Sequence, residues 1–311
     1  MREKFDLGIN KDTIFANLEK NIKYINNISY DSDDRTTYVA LYKKEEYVPV
    51  IKYKIFDEYS DVISGFSTRL GGVSKEHLSS MNLSFSRGDD KENVIENHKR
   101  FADAVGYDYK KLVFSDQVHT TNIHVVTKDD AGKGIVIESD IKNTDGLVTN
   151  CYNIPLITFY ADCVPIYFYD PVKKVVGLAH SGWKGTASNI EKSMVDKMKE
   201  SFSCNEEDII CAIGPSICQK CYEVDNVVTD IIKANFSKDE YDEVIIDKHN
   251  GKYQLDLHKL CRINLLNCGI KAEHIAMPDI CTCCNDKILF SHRASNGKRG
   301  NLAAVIMLYN D

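Results

Sequence analysis

Three apolar runs in the middle of the chain constrain its fold more than any other sequence feature. They are "PLITFYAD" (155–162), "PIYFYD" (165–170) and "KVVGLAH" (174–180), and only a few residues separate each from the next. Runs without alternation of polar and apolar residues are typical of strands that are buried on both faces. The chain must therefore place these strands in a sheet that is covered on each side.

Helical patterns lie on either side of these runs. "KENVIENHKRFADAVG" (91–106) has apolar residues at helical spacing and ends in a glycine, which predicts a helix. The apolar spacing after 186 predicts an amphipathic helix to about 202, and "LDLHKLCRINLLNCG" (255–269) predicts another. "NLAAVIMLY" (301–309) reads as a final buried strand. Because strands and helices alternate, we predict a single α/β domain with mixed sheets.

The composition changes near residue 60. Residues 1–60 are rich in Asn, Asp, Lys and Tyr, and "YVALYKKEEYVPVIKYKIF" (38–56) predicts two short strands around a charged turn. We therefore treat residues 1–60 as an N-terminal extension that packs on or leads into the core, and 61–311 as the main domain. We assign no chemistry to the first 50 residues or so.

Bulk properties exclude several functional classes. A net charge of −7 without a long Lys/Arg run argues against a nucleic-acid surface. The sequence contains no apolar stretch of roughly 18 residues, so we expect no membrane span. The N-terminus lacks the apolar segment of a signal peptide. The 11 cysteines are therefore expected to be cytoplasmic thiols, metal ligands or a nucleophile rather than a disulfide framework.

The junction "VVGLAHSGWKGTASNI" (175–190) is the first candidate site. His180 ends a buried strand just before a predicted helix start, where ligands bind in open α/β sheets. The free N–H groups of a helix start favour an anion, and Lys184 adds a positive charge. Trp183, the only tryptophan of the chain, either stacks on a ligand or packs the corner.

Two similar junctions lie upstream. Asp162 and Cys163 follow a buried strand in "FYADCVP", and His119 follows another short strand in "FSDQVHTTNIHVV". Two imidazoles and one thiolate suit zinc, and three protein ligands leave a fourth position open for water or substrate. The same residues also suit a Cys163–His180 nucleophile pair, oriented by the second histidine or by Asp162. Residue chemistry alone leaves both alternatives open.

Eight blocks in one order carry a resemblance that decides between these alternatives. The chain resembles the YfiH/YlmD-like family, the laccase-domain or multicopper polyphenol oxidoreductase group, whose members are zinc-dependent purine nucleoside phosphorylases. The resemblance covers about residues 60–310 and rests on "GFSTRLGGVS" (65–74), "MNLSFSRGDD" (81–90), "DQVH" (116–119), "TDGLVT" (144–149), "ADCVPI" (161–166), "GLAHSGWKGT" (177–186), "AIGPSICQKCYEV" (212–224) and "CTCCNDKILFSHRASNGKRGNLAAVI" (281–306).

The resemblance implies a metal site, a fold and an activity. The family's zinc ligands fall on His119, Cys163 and His180, and the fold would be a single domain with α/β/β/α layers. The implied reaction is phosphorolysis of adenosine, inosine and methylthioadenosine to base and ribose 1-phosphate, with adenosine deamination as a second activity. Its partners would be purine nucleosides and phosphate, with either a monomer or a dimer as the oligomeric state. The chain reads "FSHRA" (290–294) where the family commonly reads "FSYRR", which puts one binding contact in doubt.

Roles for the remaining candidates are hypotheses. Zinc lowers the pKa of a bound water, which suits attack on C6 of adenine, and Asp162 then either shuttles the proton or orients a ligand histidine. Arg69 and Lys184 are candidates to hold phosphate, and Arg293 is a candidate substrate contact. Arg69 is alternatively an ordinary surface ion-pair partner.

A second group of cysteines leaves another question open. Cys218 and Cys221 form a C-x-x-C motif, and "CTCC" supplies Cys281, Cys283 and Cys284. These cysteines allow a second, structural zinc site or a disulfide. We expect one zinc per chain, on the ground that no second C-x-x-C complements the first. A copper-dependent polyphenol oxidase is disfavoured, since the nine histidines include no H-x-H pair.

Overall fold

The computed structural model describes residues 37–43, 47–278 and 280–310, so most of the predicted N-terminal extension lies outside the described residues. The described strands are, in chain order, β1 (Thr37–Lys43), β2 (Tyr47–Tyr53), β3 (Val62–Ser67), β4 (Val113–Phe114), β5 (Ile123–Val125), β6 (Gly146–Thr149), β7 (Leu156–Tyr160), β8 (Val164–Asp170), β9 (Val175–Ser181), β10 (Ile210–Ile213), β11 (Glu223–Asp225), β12 (Ile245–Asp247), β13 (Lys252–Leu255), β14 (Ile275–Ala276) and β15 (Leu302–Leu308). The described α-helices are α1 (Lys91–Val105), α2 (Trp183–Ala187), α3 (Ile190–Phe202), α4 (Asn226–Asn235), α5 (Lys238–Val244) and α6 (Leu257–Asn267).

Two six-stranded sheets form the centre of the molecule. Sheet 1 has the strand order β1-β2-β3-β15-β7-β4, and sheet 2 has the order β14-β10-β8-β9-β6-β5. Strands β4 and β7 run parallel in sheet 1, and the pairs β5–β6 and β10–β14 run parallel in sheet 2. The other pairs of both sheets are antiparallel, so both sheets are mixed. A small third sheet, β11-β13-β12, lies beside them.

The packing of these sheets gives four layers. Side chains of both sheets, among them Tyr160 from sheet 1 and Tyr167 from sheet 2, share one core cluster between the sheets. On the outer face of sheet 1, Phe101 and Val105 of α1 bury their side chains. On the outer face of sheet 2, α3 and α6 do the same. The predicted single α/β/β/α domain is confirmed, and each fully buried Phe, Val or Leu contributes roughly 1.5–3 kcal/mol to it.

The three central apolar runs are strands, as predicted. They form β7, β8 and β9, and all seven residues of both β8 and β9 are buried. The two strands predicted from 38–56 are β1 and β2, and β2 pairs with β3, so this part of the chain belongs to sheet 1. The first predicted helix is α1, which ends at Gly106 with a left-handed φ of 98°.

The predicted helix from 186 to about 202 is wrong in its first turn. The chain forms the five-residue α2, breaks at Ser188 and Asn189, and starts again as α3. Asn189 has a φ of 59°, and its side chain accepts a hydrogen bond from the N–H of Lys192. Asparagine tolerates the left-handed region and caps helix starts, so it begins a new helix here.

None of the helices that the structure describes combines the length and the apolar composition needed to cross a bilayer.

Candidate metal centre and its cavity

The candidate ligands come together where the two large sheets meet. His119 follows β4 and Cys163 follows β7, and these strands are parallel neighbours in sheet 1. Cys163 lies in the short crossover by which the chain leaves sheet 1 and enters β8 of sheet 2. His180 is the sixth residue of β9, opposite Pro165 of β8. Two ligands therefore come from sheet 1 and the third from sheet 2.

The three side chains are close enough to share one ion. One ligand atom from each of His119, Cys163 and His180 lies within 4.8 Å of the other two. Sγ of Cys163 is 3.9 Å from Nε2 of His119, and the two imidazole rings stand nearly perpendicular, with centroids 4.9 Å apart. A tetrahedral zinc site places a sulfur and a nitrogen ligand about 3.6 Å apart. The donor set and its spacing therefore fit zinc.

Asp145 organises this site, and the sequence analysis did not identify it. Its Oδ1 accepts a hydrogen bond from Nδ1 of His180 at 2.8 Å, which leaves Nε2 of that ring as the nitrogen available to a metal. The same carboxylate accepts the backbone N–H groups of Val118, His119 and Thr120 at 2.8–3.1 Å. One buried side chain thus fixes both the ring of His180 and the loop that carries His119, whose φ is 65°. The only sequence signal was the "TDG" of the block 144–149.

The charges of the site favour an ion pair between His180 and Cys163. Burial acts to lower the pKa of His180, but the Cys163 thiolate and the hydrogen bond to Asp145 outweigh it and raise the pKa to about 9. Burial acts to raise the pKa of Cys163, whereas the charge of His180 and the contact with His119 lower it to about 6. Burial likewise acts to raise the pKa of Asp145, but its hydrogen bonds, led by that from His180, bring the pKa below its usual value. In the metal-free protein at neutral pH these groups therefore form an imidazolium between two anions, and a metal ion would take the place of the proton on Nε2.

Asp162 is buried beside the candidate metal ligands, with a φ of 92°. Its Oδ1 accepts a hydrogen bond from Oγ1 of Thr282, and its Oδ2 accepts one from the backbone N–H of Arg293, both at 2.7 Å. Of the two roles considered for this carboxylate, orientation of a ligand histidine belongs instead to Asp145. A carboxylate offers about four lone-pair sites, so Asp162 retains acceptor capacity toward the cavity that it lines.

Two adjoining cavities open beside the candidate ligands. The first has a volume of about 270 Å³ and is lined by Val118, His119, Asp162, Cys163, Trp183, Lys184, Ile217, Tyr222 and Leu257. The second has a volume of about 360 Å³ and is lined by His119, Thr120, Thr121, Trp183, Lys184, Ser188 and Ile231. The aromatic and aliphatic walls of the first cavity, with a few polar groups, are typical of sites for small molecules, whereas polar side chains predominate around the second.

Lys184 is the cation that both cavities share. Its ammonium lies 5.6 Å from the centre of the Trp183 ring, and the side chain forms no ion pair with the described residues. The lysine is exposed and Trp183 is half-buried, so both are accessible to a ligand. These two predicted residues therefore lie where the sequence analysis placed them, at the junction after β9.

The two predicted arginines are engaged elsewhere. The guanidinium of Arg69 donates to the carbonyls of Ser79 and Asp286 at 2.9 and 2.7 Å and stacks on Phe290, outside both cavity linings. Arg293 donates to two other backbone carbonyls, at 3.1 and 2.9 Å, and lies over the ring of Tyr222. Arg293 therefore lies beside Tyr222, which lines the first cavity, but neither arginine is itself a lining residue of either cavity. Tyr222 was missed by the sequence analysis.

Comparison with known proteins gives the relationships of the chain. The family model described as multi-copper polyphenol oxidoreductase laccase matches residues 63–309. Purine nucleoside phosphorylase YlmD of Bacillus subtilis (strain 168) is 39% identical over 247 residues, which cover 79% of this chain and 88% of that protein. Adenosine deaminase RL5, from an unknown prokaryotic organism, is 33% identical over 236 residues, which cover 74% of this chain and 88% of that protein. The crystal structure of the Bacillus licheniformis hypothetical protein YfiH matches with a TM-score of 0.79 and 38% identity, over 83% of this chain and 96% of that one.

Proposed function

The chain belongs to the multi-copper polyphenol oxidoreductase laccase family, and we propose that it is a zinc-dependent purine nucleoside phosphorylase. Its substrates would be adenosine, inosine and methylthioadenosine, and adenosine deamination would be a second activity. The observation that carries the proposal is the convergence of His119, Cys163 and His180 on the wall of a cavity. The name of the Bacillus subtilis relative supports phosphorolysis, and that of RL5 supports deamination.

The metal has a defined place in this proposal. His119, Cys163 and His180 would hold one zinc ion, which supplies a Lewis acid at the cavity wall when bound. Asp145 holds the ring of His180 in one tautomer and keeps Nε2 directed to the metal position. Within the described residues, this is the one group of three or more metal-ligating side chains that includes histidine. A multicopper oxidase needs several histidine-rich sites, so we favour zinc over copper.

Different residues of the cavity walls would bind the purine and the phosphate. Trp183 and Tyr222 offer aromatic faces, and Ile217 and Leu257 offer apolar contacts to a purine ring. Lys184, which is shared by both cavities, would hold phosphate. We assign Arg69 and Arg293 to shaping the loops, because their guanidinium groups already bind backbone carbonyls.

Phosphorolysis requires these groups to act together. An oxygen of phosphate forms a bond to C1′ of the nucleoside while the bond from C1′ to N9 of the purine breaks. The electron pair of the broken bond goes to the purine, which takes up a proton, so the products are free base and ribose 1-phosphate. Lys184 would orient the phosphate, and Asp162 is our candidate for the proton transfers of both reactions.

The assay follows from the chemistry. The zinc-loaded protein is incubated with adenosine, with and without phosphate, and the products are separated by chromatography. We expect adenine and ribose 1-phosphate only with phosphate, and inosine as the product of deamination. A His119→Ala/Cys163→Ala variant should lose both activities, whereas Cys151→Ser, a change outside both cavities, should keep them. Turnover retained in a folded double variant overturns the mechanism.

One observation favours a second candidate function, a cysteine hydrolase. The thiolate of Cys163 and the imidazolium of His180 form the ion pair that nucleophilic cysteines use. This function requires a covalent adduct on Cys163 and loss of activity on thiol alkylation of the zinc-loaded protein. The phosphorylase requires neither, so mass spectrometry of the alkylated, zinc-loaded enzyme separates the two.

The reduced cytoplasm is the compartment that we propose, since 11 cysteines in 311 residues fit a reducing environment.

A further inference from the structure

Four cysteines form a second cluster, away from His119, Cys163 and His180. Cys218 and Cys221 lie in the loop after β10, and Cys281 and Cys284 lie in the turns that precede β15. All four Sγ atoms lie within 4.8 Å of one another. The expectation of one zinc per chain rested on a wrong premise, because Cys281-Thr282-Cys283-Cys284 is itself a C-x-x-C motif.

The spacing of the sulfurs matches a four-thiolate metal site. Sγ of Cys284 lies 3.6 Å from that of Cys221 and 4.0 Å from that of Cys218. Four thiolates around a tetrahedral zinc, each at 2.3 Å, lie about 3.8 Å apart. All four cysteines are free, so no disulfide occupies the cluster. Each C-x-x-C contributes two ligands, the usual arrangement in structural zinc sites.

The surroundings of the cluster stabilise negative charge on sulfur. The backbone N–H groups of Cys218 and Cys284 both donate to Sγ of Cys281, at 3.2 and 3.4 Å. Cys218 and Cys281 are buried, whereas Cys221 and Cys284 are half-buried. Thiolate is the form of cysteine that binds metal. Four thiolate ligands in a tetrahedral arrangement select zinc or an iron–sulfur cluster.

We propose that Cys218, Cys221, Cys281 and Cys284 bind one zinc ion in a closed, four-thiolate structural site. With all four positions of a tetrahedral ion taken by protein, no position remains for a substrate. The site therefore contributes to stability and not to the reaction itself. A structural zinc site of this kind stabilises the folded chain because its ligands are not assembled in the unfolded state.

The proposed site ties the loop after β10, which supplies Ile217 and Tyr222 to the wall of the first cavity, to the turns that precede β15. Ser216 and Cys281 pair as a β-bridge, which brings the loops side by side. Beside Cys221, Tyr222 lines the cavity, and beside Cys281, the hydroxyl of Thr282 donates to Asp162. The ion thus holds the neighbours of Asp162 in place.

Metal analysis of four proteins tests the proposal. Zinc per chain is measured by mass spectrometry in the wild type, in His119→Ala/Cys163→Ala, in Cys221→Ser/Cys284→Ser and in Cys283→Ser. We expect near two, one, one and two zinc ions respectively. Cys283 is the matched control, since it lies in the same turn but outside the cluster. Near one zinc in the wild type together with near zero in His119→Ala/Cys163→Ala overturns the proposal.

A second measurement, the absorption of bound cobalt, does not require that Cys221→Ser/Cys284→Ser folds. Loading with Co²⁺ gives thiolate-to-cobalt charge-transfer absorption in proportion to the number of bound thiolates. His119→Ala/Cys163→Ala should retain about four-fifths of the wild-type intensity, since it loses one of five thiolates. Retention of almost none, recovery of iron instead of zinc, or a disulfide between any two of the four cysteines in the freshly purified protein each contradicts the proposal.

Discussion

Nδ1 of His180 and Oδ1 of Asp145 lie 2.8 Å apart, although His180 belongs to β9 and Asp145 directly precedes β6, 35 positions earlier in the chain. The same carboxylate also holds the loop of His119 through backbone N–H groups. Asp145 therefore connects two of the three candidate metal ligands. A carboxylate in this position fixes the tautomer of a ligand histidine and increases its basicity.

The first prediction concerns Asp145→Asn. Both oxygens of Asp145 accept hydrogen bonds, whereas an amide offers one acceptor and places its NH₂ against a donor. We expect the affinity for zinc at the His119–Cys163–His180 site to fall roughly 10- to 100-fold. Competition with a chromogenic chelator measures it, in a Cys221→Ser/Cys284→Ser background. Asp129→Asn, an exposed change in the same connection between β5 and β6, is the control and should leave the affinity unchanged. Equal affinities for the two variants would show that Asp145 does not orient the site.

Lys184→Ala tests the proposed phosphate contact. Loss of a charge-assisted hydrogen bond costs about 1.5–3 kcal/mol, which is a rise of roughly 10- to 150-fold in KM for phosphate. The KM for adenosine should change little. Lys197→Ala, on the outer helix α3, is the matched lysine control. A rise in both KM values would place Lys184 against the nucleoside instead.

Trp183 reports directly on the purine. Because it is the only tryptophan of the chain, its fluorescence should change when inosine binds in phosphate-free buffer, where this nucleoside undergoes neither phosphorolysis nor deamination. Trp183→Ala should raise KM for adenosine roughly 2- to 13-fold, the equivalent of an aromatic contact of about 0.5–1.5 kcal/mol, and Trp183→Phe should restore most of it. Fluorescence that stays constant up to saturating inosine indicates that Trp183 only packs the corner.

Alkylation of Cys163 should depend on pH and on zinc. Its pKa of about 6 means that the thiolate fraction, and hence the rate with iodoacetamide, falls as the pH drops through that value. Burial raises the pKa of Cys268 to about 12, so Cys268 should react only in strong alkali. Peptide mass spectrometry after timed labelling gives both rates. Zinc should protect Cys163, and labelling that ignores zinc would argue that Cys163 is not a ligand.

The buried side chain of His98 should make the free energy of unfolding fall at acid pH. Its Nε2 donates to the carbonyl of Leu83 at 2.7 Å, and burial lowers its pKa to about 4. Between pH 6.5 and 4 the unfolded chain binds a proton that the folded chain excludes, so the free energy of unfolding falls as the pH falls. At pH 5 this loss is about 2 kcal/mol relative to pH 7.5. His98→Gln, which keeps a donor but does not titrate, should lose about 2 kcal/mol less over the same range in urea unfolding. Parallel pH curves for the two proteins would contradict the assignment.

The convergence of the candidate metal ligands could be predicted because Cys163 and His180 follow or end apolar runs that must be buried strands, and His119 follows a short strand by five residues. His180 and Cys163 are examples, and their distance apart along the chain is irrelevant once the strands pair. Asp145 could not be predicted in this way, since an aspartate between Thr144 and Gly146 looks like an ordinary turn residue. Its role arises from contacts with residues 25 to 35 positions away.

Other features depend on tertiary structure too. The helical pattern of apolar residues runs on through Ser188 and Asn189, so the break between α2 and α3 was not visible in the periodicity. The roles that we propose for Arg69 and Arg293 rest on which backbone carbonyls lie within reach, which composition and spacing do not reveal.

The crossover at residues 161–163 has a consequence for unfolding. Because His119 and Cys163 extend from sheet 1 and His180 from sheet 2, a shared ion would crosslink the two sheets. The two sheets could not separate during unfolding without releasing the ion. Zinc release would then mark the moment at which the layers separate, and zinc at about 100 times its dissociation constant would add about 2.7 kcal/mol of resistance to that separation.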